Sequence, residues 1–344
     1  MNIRRHRYSL YLIFAFAFCL LNFLAEPALA GSWRLDAPGE EVLPRNLRLS
    51  SDDFTAEDPS LKNGLLQLHI SGSAQPSAAG FAALYQQLRT QTTLPIYIID
   101  LREESHGFLA GAAISWYEDH NWGNRGKTRG EMLQDEQQRL HSLTGPITAI
   151  PLGREDTARL SPQTLPASTP ADEAATATAA GFHYVRLPAT DQCWPEPAVI
   201  DDFLQFYRTL PAKAWLHFHC QAGHGRTTTF MVLYDILQNP ELPLETIVRR
   251  EQLLGGTNLL AEPDGTDWLS VETRRKAQNL RLFYRYVQQE KPQPYSLPLP
   301  GKAKAPRPTR ETGRRKLRII YRQNAKQPHP EPQKSEYLGR DAFA

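Results

Sequence analysis

The sequence is short of cysteine, of long apolar runs and of charge of one sign, and each shortage excludes a class of protein. Its three cysteines, Cys19, Cys193 and Cys220, cannot build a disulfide framework, so the fold must rest on an apolar core. The one long apolar run, Leu10 to Leu24, lies at the N-terminus, and no segment after it could span a bilayer. The formal net charge is only +2, from 39 Lys and Arg against 37 Asp and Glu. Such a balance gives no global field for gathering nucleic acid, and any attraction for anions must come from locally clustered Lys and Arg.

What is present is ordinary for a globular chain: 41% hydrophobic and 22% charged residues over 344 positions, enough for one large domain or two modest ones. Residues 1–30 read as a secretory signal. They carry basic Arg4, Arg5 and Arg7, the apolar run, and Ala28-Leu29-Ala30 before Gly31. Cleavage after Ala30 would send the mature chain to the periplasm or beyond it, free of the membrane, with Cys193 and Cys220 as its cysteines.

Hydrophobic periodicity then alternates between helix and strand. Residues 31–60 are polar and Pro-interrupted and read as an extended lead-in. Phe81, Leu84 and Leu88 mark a helix over 78–90, and Ile96 to Ile99 a buried strand. After an aromatic patch with Trp116, Tyr117 and Trp122 come a polar helix at about 130–143 and a short strand at 147–152. Residues 155–180, rich in Ala, Thr and Pro, read as a surface loop followed by a short helix. A strand resumes at Tyr184 to Leu187, and Ile200, Phe203, Leu204 and Tyr207 recur at helical spacing. Trp215 to Phe218 form a strand running straight into Cys220, and Thr229 to Leu237 is apolar almost all round, as a buried helix is. The basic, Pro-rich stretch 291–344 reads as a disordered tail.

The chemistry concentrates at residues 219–227, His-Cys-Gln-Ala-Gly-His-Gly-Arg-Thr. A phosphate monoester needs a cradle of donors, an ionised nucleophile and an acid for the departing oxygen. Between strand and helix, the backbone N–H groups of Gln221, Ala222, Gly223, His224 and Gly225 can point inward, with the glycines tolerating the tight turns. The positive end of the following helix adds to that field, and both favour a thiolate at Cys220. Arg226 offers a planar fork for two phosphoryl oxygens, and Thr227 a hydroxyl for the sulfur. For the acid, Thr190-Asp191-Gln192-Cys193-Trp194-Pro195 places Asp191 on a stiffened loop, although Asp at such a point also serves as a helix cap. Cys193 is expected to stay unpaired with Cys220. This chemistry calls for a small anionic phosphorylated substrate and for no metal or cofactor.

Over roughly 45–290 the chain resembles the protein-tyrosine-phosphatase-like cysteine phytases of bacteria. The likeness lies in Arg45-Asn46-Leu47-Arg48, Ser71-Gly72-Ser73-Ala74-Gln75, Asp100 to Gly107, Ser115-Trp116-Tyr117, Ala189-Thr190-Asp191, Trp194-Pro195 and Trp215 to Thr228. The resemblance implies an α/β fold, a tyrosine-phosphatase-like twisted sheet flanked by helices with a small partial β-barrel domain inserted. The phosphatase domain would comprise 31–110 and 181–290, and the small domain 111–180. The resemblance also implies hydrolysis of myo-inositol hexakisphosphate or lower inositol polyphosphates through a phosphocysteine, with Asp191 as general acid and Arg48 and Lys276 binding peripheral phosphates. Lys276 shares a helical face with Leu280, Phe283 and Val287, opposite a solvated stripe of Arg274, Gln278, Arg281 and Arg285. Lys127 is a weaker candidate of the same kind.

Two departures concern substrate binding. Gln192 stands where the family tends to have His after the acid, and Leu269 stands where a Lys is expected after Trp268. His224 would compensate only if protonated. Arg102 and His106 read as a satisfied polar network rather than as catalysts. Protein phosphotyrosine is the competing substrate, and a sulfurtransferase or a noncatalytic anion-binding module the competing classes.

Overall fold

The computed structural model describes residues 31–40, 43–55 and 58–290, so the expected signal at 1–30 and tail at 291–344 lie outside the described residues. The strands are β1 (Ser32–Ala37), β2 (Arg48–Leu49), β3 (Ile70–Ser73), β4 (Ile96–Arg102), β5 (His106–Leu109), β6 (Ala112–Tyr117), β7 (Ile147–Pro151), β8 (Gln163–Leu165), β9 (His183–Ala189) and β10 (Trp215–His219). The helices are α1 (Ala78–Arg89), α2 (Arg129–His141), α3 (Arg154–Arg159), α4 (Glu173–Ala180), α5 (Pro197–Thr209), α6 (Gly225–Gln238), α7 (Leu244–Leu253) and α8 (Trp268–Glu290).

The main sheet has the order β2-β3-β10-β4-β9. β10 is its centre, parallel to β3 from Leu216↔Ile70 to His219↔Ser73 and to β4 from Trp215↔Ile96 to His219↔Asp100. β4 pairs parallel with β9, and the two-residue β2 runs antiparallel at the β3 edge. Every residue of β10 is buried, which is why Trp-Leu-His-Phe-His carries no polar alternation. Its two histidines face polar groups: Ser71 Oγ and Ser73 Oγ lie 2.8 and 2.9 Å from the ring nitrogens of His217, and a Glu173 oxygen lies 2.7 Å from His219 Nε2.

Helices cover both faces. On one side Phe81, Leu84 and Leu88 of α1 pack with Ile98, Phe108 and Phe182. On the other, Phe203 of α5, Phe230 and Leu233 of α6 and Phe283 of α8 close over Ile99, Leu187 and Phe218. The apolar stretch 229–237 sits within a helix beginning earlier, at Gly225, and buried throughout from Arg226 to Leu237. β3 passes close beneath its first turn. A Cβ on Gly72 would lie 2.6 Å from both Met231 Sδ and Thr227 Cγ2, so glycine is needed where strand and helix meet.

The second sheet, β5-β6-β1-β7-β8, is open, and its core holds Leu35, Leu109, Ile114, Leu140 and Leu165. Here the expectation for 31–60 is corrected. Ser32–Ala37 is no lead-in but the central strand of this sheet, antiparallel to β6 and parallel to β7. Its partners lie 75 or more residues away, and the buried Asp36 next to its last residue hides the apolar pattern. The small sheet thus draws β1 and β5 as well as strands from 111–180. Within 155–180, α3 and β8 precede the short helix α4.

The four parallel strands of the main sheet end on one edge. Their C-terminal ends deliver Ser73 to Gln75, Asp100 to Glu104, Ala189 to Asp191, and Cys220 to one crevice, the usual ligand position in such sheets.

Candidate active site

Cys220 leaves β10, and after five intervening residues Arg226 lies in the first turn of α6. The sulfur is 3% exposed and accepts a hydrogen bond from Thr227 Oγ1 at 3.2 Å. Gly223 makes the turn at φ +78, and a Cβ there would strike Ala74 N at 2.4 Å, so the loop requires glycine. The N–H groups of Gln221 to His224 find no acceptor among the described residues, and α6 begins without a side-chain cap. Donors and helix dipole therefore face the same point, as an anion cradle requires.

Arg226 is fixed by a carboxylate that the loop does not contain. Nη1 donates to Glu104 Oε2 at 2.6 Å and Nη2 to Oε1 at 3.0 Å, while Nη1 also reaches Ala189 O at 3.3 Å. Glu104 is shared with Arg102, whose Nε donates to Oε1 at 2.8 Å and whose Nη1 reaches Asp36 at 2.9 Å and Gln75 at 2.7 Å. Burial alone would raise the Glu104 carboxyl, but Arg226 and Arg102 outweigh it and hold it well below the usual range.

Asp191 faces the cradle. Its Oδ1 lies 3.2 Å from Arg226 Nε and accepts from Gln192 N at 3.0 Å, and its Oδ2 accepts from Asn121 Nδ2 at 3.0 Å. Trp122 Nε1 donates to Asp191 O at 2.9 Å. One cleft brings together Asp191, Gln192, Cys220, Gln221, Ala222, Gly225, Arg226 and Lys276, with Cys193 beside them. Both cysteines are free thiols, and burial, with Glu272 nearby, pushes Cys193 up to about 12. Lys276 is buried at the cleft wall. Desolvation lowers its pKa, with Cys193, Asp191 and Glu272 opposing.

Three expectations are corrected. Arg48 does not face a peripheral phosphate. It is buried behind the loop, where Nη1 donates to Gly223 O at 2.7 Å and Nη2 to Thr228 Oγ1 at 3.2 Å, supporting the loop from below. His224 cannot supply charge at the mouth: Asn46 Nδ2, a donor only, lies 2.9 Å from its Nε2, which must accept. Burial, then Arg48, lowers its pKa further. Lys127 is occupied by Asn124 at 2.7 Å and Asp135 at 3.0 Å, away from the cleft.

Arg102 and His106 do belong to a network. His106 Nε2 lies 3.3 Å from Asp100 and 3.2 Å from Glu173, whose other oxygen is 2.7 Å from His219 Nε2. Burial opposes charge on His106, yet Asp100 outweighs it and carries the imidazole to about 10. Sequence reasoning missed Glu104, Asn121 and Trp122 as site residues. Glu104 lies inside the stretch Asp100 to Gly107 and Trp122 inside the aromatic patch, but nothing local ties either to residues about 70 to 120 positions away.

A cysteine leading a donor loop into a helix, an arginine aimed by a buried carboxylate and an aspartate across the cleft define the cysteine-phosphatase class of site. The sequence model of the protein-tyrosine-phosphatase-like phytases, described as inositol hexakisphosphate, matches residues 157–238. Over those residues the chain is similar to this family. It is similar to the Mitsuokella multacida protein-tyrosine-phosphatase-like myo-inositol phosphatase, solved in complex with myo-inositol-(1,3,4,5)-tetrakisphosphate. That match has 37% identity and a TM-score of 0.71 and covers 79% of this chain and 48% of that one. A Bdellovibrio bacteriovorus phytase of this type matches at 29% identity and a TM-score of 0.59, over 77% of this chain and 91% of that one. The effector protein hopD2 of Pseudomonas syringae pv. tomato is 32% identical over 162 residues, 45% of this chain and 35% of that protein. The chain thus spans about half of the Mitsuokella chain and a third of the effector.

Behind the loop, beyond Arg48, lies Glu251. It is fully buried, neither oxygen has a hydrogen-bond partner among the described residues, and neighbouring Arg250 is committed to Asp235. Burial, then Asp235, raises this carboxyl from 4.5 to about 8. The folded state therefore holds the proton more tightly than the unfolded chain, and stability falls as pH rises from about 4.5 towards 8. Glu251→Gln should remove that decline, a gain of roughly 2–4 kcal/mol at pH 8 relative to pH 5 in urea denaturation. An unchanged pH slope would mean that Glu251 is already ionised in the fold.

Proposed function

We propose that the protein is a cysteine-dependent phosphatase that removes phosphates from inositol polyphosphates. The observation that carries this reading is the meeting of the Cys220 sulfur, the Arg226 fork and the Asp191 carboxylate on one cleft. In the first step the Cys220 thiolate attacks phosphorus in line with the ester oxygen, while Arg226 and the loop N–H groups hold the equatorial oxygens. As the P–O bond breaks, Asp191 gives its proton to the leaving alkoxide, which at an inositol carbon is too basic to depart alone. In the second step water attacks the phosphocysteine, Asp191 takes the water proton, and the thiolate is released with inorganic phosphate. Thr227, whose hydroxyl donates to the sulfur, stabilises the thiolate in both steps.

The substrate class is supported by the family model's match to residues 157–238 and by the inositol tetrakisphosphate bound by the Mitsuokella relative. Lys276 and Arg226 are the cationic side chains on the cleft wall, and Gln192 offers a neutral amide beside them. With Leu269 in place of a lysine and His224 neutral, the mouth is less positive than the family pattern implies.

Phosphate release from inositol hexakisphosphate, inositol tetrakisphosphate and a phosphotyrosine peptide tests this reading. Cys220→Ser should abolish turnover, and Asp191→Asn should lower kcat on the inositol phosphates by about 10²–10⁴-fold. A clear preference for the peptide would overturn the substrate class, and full activity in Asp191→Asn would remove the acid. The same reading takes the mature enzyme to be exported, on the pattern of residues 1–30. Its N-terminal residue should then be Gly31, and an intact Met1 on exported enzyme would contradict cleavage.

A further inference from the structure

The acid is gripped from outside the sheet that carries it. Asp191 follows β9, yet one of its carboxylate oxygens and its carbonyl are held by Asn121 and Trp122, which follow β6 of the small sheet. Of the two oxygens, Oδ1 already accepts from Gln192 N and lies against Arg226 Nε, whereas Oδ2 faces Asn121 Nδ2 at 3.0 Å. A carboxyl oxygen has two lone-pair positions, so an N–H on one leaves the other for the transferable proton. The oxygen that carries that proton is then the one whose direction Asn121 sets.

The surroundings fit this assignment. Asn121 is 3% exposed and its amide oxygen has no hydrogen-bond partner among the described residues, so its side chain is held through the amide nitrogen, which donates to Asp191. The carboxylate opposite requires that the nitrogen, not the oxygen, face it. Backbone strain collects on both sides of the contact: φ is 54° at His120, 64° at Asn121 and 60° at Gln192. Left-handed conformations at consecutive non-glycine residues persist only where the surroundings enforce them. Here the brace is aromatic. His120 lies tilted against Trp122 at 4.8 Å and edge-on to Trp268 at 4.3 Å, the two tryptophans meet at 5.4 Å, and Arg125 lies over Trp122 at 4.2 Å.

We propose that Asn121 is a positioning residue for the acid: through its side-chain amide it fixes the Asp191 carboxyl so that the Oδ2 proton points at the leaving oxygen. The inference rests on the phosphatase reading above and adds to it a residue that never touches substrate. The reaction's balance is unaltered. The O–H bond of Asp191 breaks as the new O–H bond forms on the departing oxygen, and Asn121 keeps its own protons.

Leaving-group dependence separates this role from a merely structural one. p-Nitrophenolate departs without a proton at neutral pH, whereas phenolate needs one, so a misdirected acid penalises phenyl phosphate selectively. Asn121→Gly removes the amide while tolerating the left-handed backbone, and Asn121→Ala removes it without added backbone freedom. Both should lose about tenfold in kcat/KM on phenyl phosphate and less than about twofold on p-nitrophenyl phosphate. Equal losses on the two esters, or no loss on either, would overturn the proposal. Thermal melting of both variants shows whether a loss on both esters is unfolding. If neither folds, Asn121→Ser, which keeps a short polar group in the same place, must show the same selectivity, and its absence overturns the role. Wild-type enzyme without Cys220-dependent turnover of either ester would instead overturn the phosphatase reading and this inference with it.

Discussion

The bidentate pair between Arg226 and Glu104 is the contact on which the remainder of the site depends. Both side chains are buried, and two charges taken out of water are stable together only when the fork geometry satisfies them fully. Glu104 also serves Arg102, and Arg102 reaches Asp36 on β1, so charges alternate from the small sheet into the phosphate loop. Removing one member would leave an unpaired charge in a dry environment, at a cost of about 3–5 kcal/mol. The arginine that must grip a phosphate through attack and departure is therefore aimed before the substrate arrives, and the small sheet does part of the aiming.

Two other supports complete this preorganisation. From below, Asn46 donates to Ala222 O at 2.9 Å and Arg48 to Gly223 O at 2.7 Å, which turns two loop carbonyls away from the cleft and leaves its N–H groups facing in. From across the cleft, Asn121 and Trp122 hold the acid. Nucleophile, acid and the carboxylate that aims the clamp thus follow strands of the main sheet, while Asp36, Asn121 and Trp122 bring support from the small sheet. A donor array fixed in advance stabilises developing charge without reorganising during the reaction, which is where such sites gain most of their rate.

What could be read from the sequence follows this division. The loop from Cys220 to Thr227, the strand before it and the helix after it were legible because nucleophile, donors, clamp and dipole lie within eight residues, each constrained by local chemistry. Asp191 was legible as a candidate on the loop before Trp194-Pro195, with a helix cap as the competing reading and the family resemblance favouring the acid. Helices α1 and α5 showed their 3.6-residue period, whereas β1 did not show as a strand. Its pairing with β6 and β7 is long-range, and Asp36 is buried by an ion pair rather than by apolar packing. Arg48 was misassigned for a related reason: a motif shows that an arginine belongs near a phosphate loop, but not whether it sits before the loop or behind it. Glu104 and Asn121 were out of reach because no local pattern marks a side chain whose partner is about 70 to 120 residues away.

The central claim is that Glu104 directs Arg226. The measurement that tests it most directly is kcat/KM of Glu104→Gln on inositol hexakisphosphate, read beside the rate at which iodoacetate alkylates Cys220. The account predicts a loss of about 100-fold in kcat/KM, the cost of a clamp misplaced by about an ångström, while alkylation of Cys220 continues near the wild-type rate. Activity within twofold of wild type would contradict it, because Arg226 would then hold its place without the carboxylate.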